Sequence, residues 1–256
     1  MTFADAQQRF SSRVADYVRY RPGYPDALIG LLRDGCGLQP QHCVADIGSG
    51  TGLLSKLFLQ SGNFVYGVEP NPEMSGAAAE FLASYPRFAS VCGSAEMTTL
   101  ADRCVEFITV GQAFHWFERI AARREFLRIL KPGGWLVVAW NDRRIGETAF
   151  GRDYEDLLVR YGTDYTAVKD AYPETPDMET FFGSSKFKRF ELANFQEFDF
   201  EGLAGRVRSS SYAPKEGERR FSPMMEALRE LFDALLPRHL VCETVPFPKS
   251  DTSEKR

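Results

Sequence analysis

At 256 residues, 44% hydrophobic and 26% charged, the chain fits one large soluble domain able to bury a substantial core. A net charge of −4 argues against nucleic acid as an obligate partner, because phosphate binding leaves a basic footprint. The start Met-Thr-Phe-Ala-Asp lacks a secretion signal and no apolar run reaches membrane-spanning length, so a cytoplasmic protein with no membrane partner is expected.

In chain order, Ala4 to Tyr20 reads as a helix, followed by the turn Arg21-Pro-Gly-Tyr-Pro25 and a short helix to about Arg33. Val44 to Ile47 is a short buried strand, a glycine loop follows, and Leu53 to Gln60 is helical. Phe64 to Val68 is a second strand. Pro72 to Ser84 opens with proline in its first turn and continues with an alanine run, so it is a helix. Phe88 to Cys92 and Cys104 to Val110 are the third and fourth strands. Phe117 to Leu130 is a helix stopped at Lys131-Pro-Gly-Gly134, and Trp135 to Trp140 is the fifth strand.

Regular alternation of near-continuous apolar strands with helices means a doubly wound α/β fold, with a mostly parallel sheet covered on both faces. After Trp140 the rhythm changes. Asn141 to Phe182 is rich in charge and tyrosine and reads as broken helices outside the sheet. Phe187 to Phe200 alternates apolar and polar residues as an antiparallel or edge strand would. Ser222 to Leu236 is helical, and Val241 to Phe247 reads as a final strand. One domain follows, in four stretches. Residues 1–42 are N-terminal helices, 43–140 a binding core, 141–186 a cap and 187–249 the closing strands and helices.

The five cysteines are scattered, without CxxC spacing or clustered histidines, so no metal site is expected. The glycine loop is the chemical focus. Strand, glycine loop and helix form the ligand-binding end of an open α/β sheet. Gly48, Gly50 and Gly52 give G-x-G-x-G, whereas the dinucleotide fingerprint places its third glycine where Leu53 stands. The Gly-Lys-Ser/Thr of a phosphate loop is also missing. Asp46 ahead of the loop would repel phosphate but suits a ligand bearing an ammonium or sulfonium. Glu69 closes the second strand, where an acidic side chain accepts both hydroxyls of a ribose. Adenosine with a cationic amino-acid tail describes S-adenosylmethionine.

The motifs resemble class I S-adenosylmethionine-dependent methyltransferases. Asp46-Ile-Gly-Ser-Gly-Thr-Gly52 is similar to that family's first motif, and Val65-Tyr-Gly-Val-Glu-Pro-Asn-Pro-Glu-Met74 to its second-strand acidic motif. Gly93-Ser-Ala-Glu96 is similar to the adenine-side motif, and Leu130-Lys-Pro-Gly-Gly-Trp-Leu136 to the turn into the fifth strand. Gly111-Gln-Ala-Phe-His-Trp-Phe117 and Tyr20-Arg-Pro-Gly-Tyr-Pro25 resemble the small-molecule enzymes of the trans-aconitate and ubiquinone-biosynthesis type. The resemblance covers Val44 to Trp140. It implies a Rossmann-like sheet of seven strands, antiparallel near the C-terminus, with a helical cap.

The resemblance also assigns roles. Gly48, Ser49, Gly50 and Gly52 approach the methionine portion of the cofactor, with Asp46 beside them. Glu69 and Pro70 serve the ribose, and Ser94 and Ala95 flank the adenine, although the family more often carries Asp where Ser94 stands. Glu96 either joins that contact or anchors its loop. Arg21 either grips the methionine carboxylate or is an exposed arginine beside a turn. Gly111 and Gln112 end the fourth strand beside the methyl group. His115 is the one candidate base, set against the alternative of a packed histidine opening a helix. The acceptor is expected to be a small organic molecule, and the tyrosine-rich segment after Trp140 reads either as its lid or as a helical cap that merely covers the sheet edge. Two rivals are a nicotinamide-dependent oxidoreductase, opposed by Leu53 and Asp46, and a binding protein that has lost turnover. The sequence leaves the accepting atom and the oligomeric state open.

Overall fold

The computed structural model describes residues 13–143, 148–170, 175–182 and 187–234. Five strands form one parallel sheet: β1 (Cys43–Ile47), β2 (Phe64–Val68), β3 (Phe88–Val91), β4 (Val105–Gly111) and β5 (Leu130–Ala139), in the order β3-β2-β1-β4-β5. Strand order reverses between β1 and β4, which leaves a crevice outside their carboxyl ends.

The side chains of β1 alternate between the two faces. On one face Val44, Val65 and Phe107 pack against helices α2 (Ala27–Cys36) and α3 (Leu53–Gln60). On the other, Ala45, Ile47, Ile108 and Val110 pack against α5 (Arg119–Ile129). Helix α4 (Pro72–Phe81) starts with proline in its first turn, and Asn71 caps it by accepting from the backbone N–H groups of Glu73 and Met74 at 2.9 and 3.1 Å.

Two expectations change, and one falls outside the described residues. The sheet shows five parallel strands among the described residues, in place of seven with an antiparallel member. Val241 to Phe247 lies outside the described residues. Phe187 to Phe200 contains one bridge residue, Leu192, and no strand. Phe187 packs against the sheet's α5 side and Leu192 against its α2 side, while Phe190 and Phe195 stay 45% and 60% exposed. Alternation there reports one-sided burial without a hydrogen-bonded ladder.

The helices after Trp140 contribute to two different cores. Helices α6 (Ala149–Tyr161) and α7 (Tyr165–Asp170) share a core with α9 (Phe200–Arg208) and α10 (Phe221–Asp233), built around Leu158, Leu203, Met224 and Leu228. Helix α8 (Thr175–Phe182) instead sends Met178 and Phe181 into the sheet core, where Phe181 meets Phe114 edge-on at 4.7 Å. Helix α1 (Val14–Tyr20) is clamped to this cap. Arg13 donates to the carbonyls of Arg208 and Ala213, and Tyr20 lies against Gly205, where a Cβ would meet its ring at 2.2 Å. No helix among the described residues is long and apolar enough to cross a membrane.

Candidate active site

The crevice at the β1/β4 reversal holds a cavity in two adjoining lobes that share Tyr17, Gly48, Gly50, Gly111 and Gln112. Its floor is the glycine loop. Gly48 and Ser49 donate their backbone N–H groups to the Val68 carbonyl at 2.9 and 3.2 Å, so the loop is tied to the end of β2.

The three glycines have different reasons to be glycine. All have positive φ, at 67°, 55° and 82° for Gly48, Gly50 and Gly52. A Cβ on Gly48 would lie 2.6 Å from Ala113 Cβ, and one on Gly52 the same distance from Leu82 Cδ1. A Cβ on Gly50 would meet only the flexible tip of Met74, at 3.4 Å. Gly48 and Gly52 are therefore demanded by the protein's own packing. Gly50 presents bare backbone to the cavity.

Asp46 lines the same lobe as the loop yet is 1% exposed. Its carboxylate accepts from the Ser55 hydroxyl at 2.6 Å and the Thr109 hydroxyl at 3.1 Å. Burial pushes its pKa up to about 6 against the pull of those hydrogen bonds. Thr109 sits opposite Asp46 in the β1–β4 register, and Ser55 faces it from α3.

Glu69 follows β2 directly. Its oxygens accept from the backbone N–H groups of Gly50 and Asn71, both at 2.9 Å. Burial raises its pKa while these two bonds oppose the rise. Each oxygen keeps a further lone pair for a ligand, and Glu69, Pro70 and Ala95 line one lobe together. Ser94 and Met97 close a tight turn through their backbones at 3.0 and 3.3 Å, which turns Ala95 inward; Ser94 is not among the lining residues.

Glu96 is tied to the start of α5. It accepts from the Glu118 N–H at 2.9 Å, and Glu118 in turn caps α5. Gly111 is close-packed, since a Cβ there would meet Tyr24 Oη at 2.5 Å. Gln112 has φ of +58°, a strained setting for a residue with a side chain. It is held by its N–H to the Ala139 carbonyl at 3.0 Å and its amide to the Asn141 carbonyl at 3.1 Å. These two hydrogen bonds hold the strained backbone of Gln112 at the cavity wall.

Arg21 enters one lobe from the end of α1. Its guanidinium donates to the Ser209 hydroxyl and carbonyl at 3.1 and 3.0 Å, and it stacks over Tyr17. His115 lies in a single 3₁₀ turn, Phe114–Trp116, beside the Trp116 ring at 4.8 Å. Burial pushes its pKa down to about 4. Its neighbours Trp116 and Phe117 line the cavity and it does not, so the packed reading of His115 fits the geometry.

Sequence reasoning missed Ser55, Thr109, Tyr17, Trp116 and Arg206. The aromatic-rich signals around Tyr17 and Trp116 were visible. Nothing in the local sequence marks Arg206, which reaches the cavity only because α9 folds across α1.

Residues 45–138 match a family model described as a methyltransferase domain. An uncharacterized methyltransferase of Mycobacterium tuberculosis is 36% identical over 160 residues, 62% of each chain, so this chain spans about three-fifths of that relative. An uncharacterized methyltransferase of Geobacillus kaustophilus is 30% identical over 158 residues, 58% of this chain and 70% of the relative. Among solved structures, a candidate methyltransferase of an antibiotic biosynthesis pathway from Anabaena variabilis aligns with TM-score 0.60 at 20% identity, covering 86% of this chain and 95% of that one. The fold is therefore the Rossmann-like α/β fold of methyltransferases, and by its motifs and its relatives the chain belongs to the methyltransferase family.

Proposed function

We propose that the protein is a cytoplasmic S-adenosylmethionine-dependent methyltransferase acting on a small organic acceptor. The observation that carries this reading is the convergence on one cavity of the open backbone at Gly50, the Glu69 carboxylate and the strained Gln112. The donor set fits the cofactor. Glu69 has acceptor capacity for the two ribose hydroxyls, Ala95 offers a buried backbone beside the adenine side, and the loop from Gly48 to Gly52 admits the methionine portion. In this reading Arg21 holds the cofactor carboxylate, and its hydrogen bonds to Ser209 and Ser210 support that role by orienting the guanidinium.

When bound, the cofactor supplies a methyl group activated by a positively charged sulfur. The residues around it then need chiefly to align and to exclude water. Tyr17, Trp116 and Phe117 give aromatic walls that favour a cation. Gln112, fixed by Ala139 and Asn141, is the part of the cavity wall against which the acceptor is oriented in this reading. His115, held neutral and off the cavity, is not required as a base.

Titration calorimetry tests the reading. S-adenosylmethionine and its demethylated product should bind, and NAD should bind far more weakly. Glu69→Ala should weaken both adenosyl ligands about 10- to 100-fold, since a hydrogen bond to a charged group is worth roughly 1.5–3 kcal/mol. Tighter binding of NAD, or unchanged affinity in the variant, would refute it.

A further inference from the structure

Two bodies wall the cavity. The sheet half supplies the glycine loop, Glu69 and Gln112, whereas Tyr17, Arg21 and Arg206 roof it from the ends of α1 and α9. The cap helices α6, α7, α9 and α10 bury their apolar side chains in a core that shares no residue with the cores on the two faces of the sheet. Helix α1 has no buried residue of its own and is held to α9 by polar contacts. Arg208 pairs with Asp16 at 3.1 Å, and Arg21 donates to Ser209. The roof is therefore α1 together with the cap.

The two lobes hold about 40 and 90 Å³. Sites for ligands the size of S-adenosylmethionine hold roughly 300 Å³ or more. Roof and floor must part for such a ligand to enter.

Hydrogen bonds between the two bodies gather at one point. Three passages of the chain between sheet half and cap meet there, at Gly23, Asn141 and Asn194. The Asn141 amide donates to the Gly23 carbonyl at 3.2 Å. The Asn194 amide donates to the same carbonyl at 2.9 Å and to Asn141 Oδ1 at 2.8 Å. Gln196, two residues on, donates to the Tyr20 carbonyl at 3.3 Å and so ties this point to the end of α1. Asn141 also reaches the cavity wall, since its carbonyl accepts from the amide of the strained Gln112 at 3.1 Å. A node of short polar side chains suits a hinge, because water can replace each bond as the bodies turn.

We propose that α1 and the cap form one lid that opens about this node, and that Asn141 is the positioning residue coupling lid closure to Gln112. As the lid closes, the Asn141 carbonyl meets the Gln112 amide and fixes the wall; as it opens, that wall is released. This rests on the methyltransferase reading, because the adenosyl cofactor is the ligand that the lid covers.

Hydrogen exchange of the intact protein, followed by mass spectrometry with and without the demethylated cofactor, tests the lid. The cofactor should slow exchange in α1 and α9 together, by about tenfold or more. Asn194→Asp sets a carboxylate against the Gly23 carbonyl and Asn141 Oδ1, where an amide donated. Without cofactor it should speed exchange in α1 and α9 together by about tenfold and leave β1 and β4 unchanged. Asn194→Ala, which removes the donors without adding charge, should do the same to a smaller degree. Calorimetry tests the coupling. The double variant Asn194→Asp/Gln112→Ala should bind the demethylated cofactor at least about threefold more tightly than the two single losses multiplied together imply.

Protection confined to the glycine loop of the wild-type protein, or α1 exchanging independently of α9, would overturn the lid whether or not either Asn194 variant folds. Unchanged exchange in folded Asn194 variants would overturn the hinge. Single losses that simply multiply would remove the coupling through Asn141, since a merely structural role predicts that result. A wild-type protein that binds no demethylated cofactor refutes the methyltransferase reading itself, and exchange in the Asn194 variants then decides the hinge alone.

Discussion

The β1–β4 half of the sheet and the cap of α6, α7, α9 and α10 solve the same problem in opposite ways. In the sheet half, the groups that shape the cavity lie at strand ends, and much of their chemistry is backbone. Glu69 is held by the N–H groups of Gly50 and Asn71, and the loop by the Val68 carbonyl. In the cap, position is fixed by long side chains joining distant segments, such as Arg13 to Arg208 and Arg143 to Tyr212. A backbone-built site tolerates side-chain change except where a Cβ collides. A side-chain-built cap depends on single residues. The two regions should therefore fail differently.

The largest expected effect is within the glycine loop. Gly48→Ala forces two Cβ atoms to 2.6 Å as well as imposing a positive φ, so it should cost on the order of 3–5 kcal/mol and leave little folded protein. Gly50→Ala carries only the conformational cost, about 1–2 kcal/mol, and should fold while binding the adenosyl ligands poorly. Chemical denaturation and calorimetry on both variants separate the two. Equal destabilisation would mean that Gly50 is a packing residue like its neighbour.

That contrast also explains what was legible in the sequence. The strands β1, β2 and β4 were readable because largely buried parallel strands are rich in apolar residues, and the loop because glycines cluster where φ turns positive. The start of β5 was not. It begins at Leu130, and the ladder shifts between Val105 and Phe107 to accommodate Lys131-Pro-Gly-Gly134, which reads locally as a stop. Ser55 and Thr109 were hidden because a hydroxyl at a strand or helix position has no pattern of its own; their role follows from facing Asp46 across β1. Arg206 was hidden for a stronger reason, because its neighbours on the cavity lie far earlier in the chain. The alternating stretch from Phe187 misled because burial of alternate residues arises without strand pairing.

A smaller effect sharpens the boundary between the two regions. Arg143→Met leaves Glu155 with Lys169 at 2.7 Å but removes the donor shared by Tyr165 and Tyr212. Breaking one side of such a cluster should cost about 3 kcal/mol. Hydrogen exchange should then rise in α6, α7, α9 and α10 while β1, β2 and β4 remain protected. An equal rise in β1 and β4 would show that cap and sheet open as one unit.

The smallest effect lies in the sheet half, at a buried carboxylate whose hydrogen-bond donors are hydroxyl groups. Asp46 is bonded to Ser55 and Thr109, and its pKa rises from an ordinary 3.8 to about 6. The folded state therefore takes up a proton on Asp46 at a higher pH than the unfolded chain does. By linkage, stability contributed by this group is greatest below about pH 4, falls as pH rises from about 4 to 6, and is constant above that. At about 1.4 kcal/mol for each tenfold change in proton affinity, the full change is on the order of 3 kcal/mol or less. Asp46→Asn cannot titrate, and its amide keeps one acceptor oxygen for Ser55 or Thr109. The difference in unfolding free energy between wild type and Asp46→Asn, followed from pH 4 to 7 by urea denaturation, should move steadily in favour of the variant and level off near pH 6. A pH-independent difference would mean that the two hydroxyls hold Asp46 ionised throughout, with the burial penalty fully offset by its hydrogen bonds.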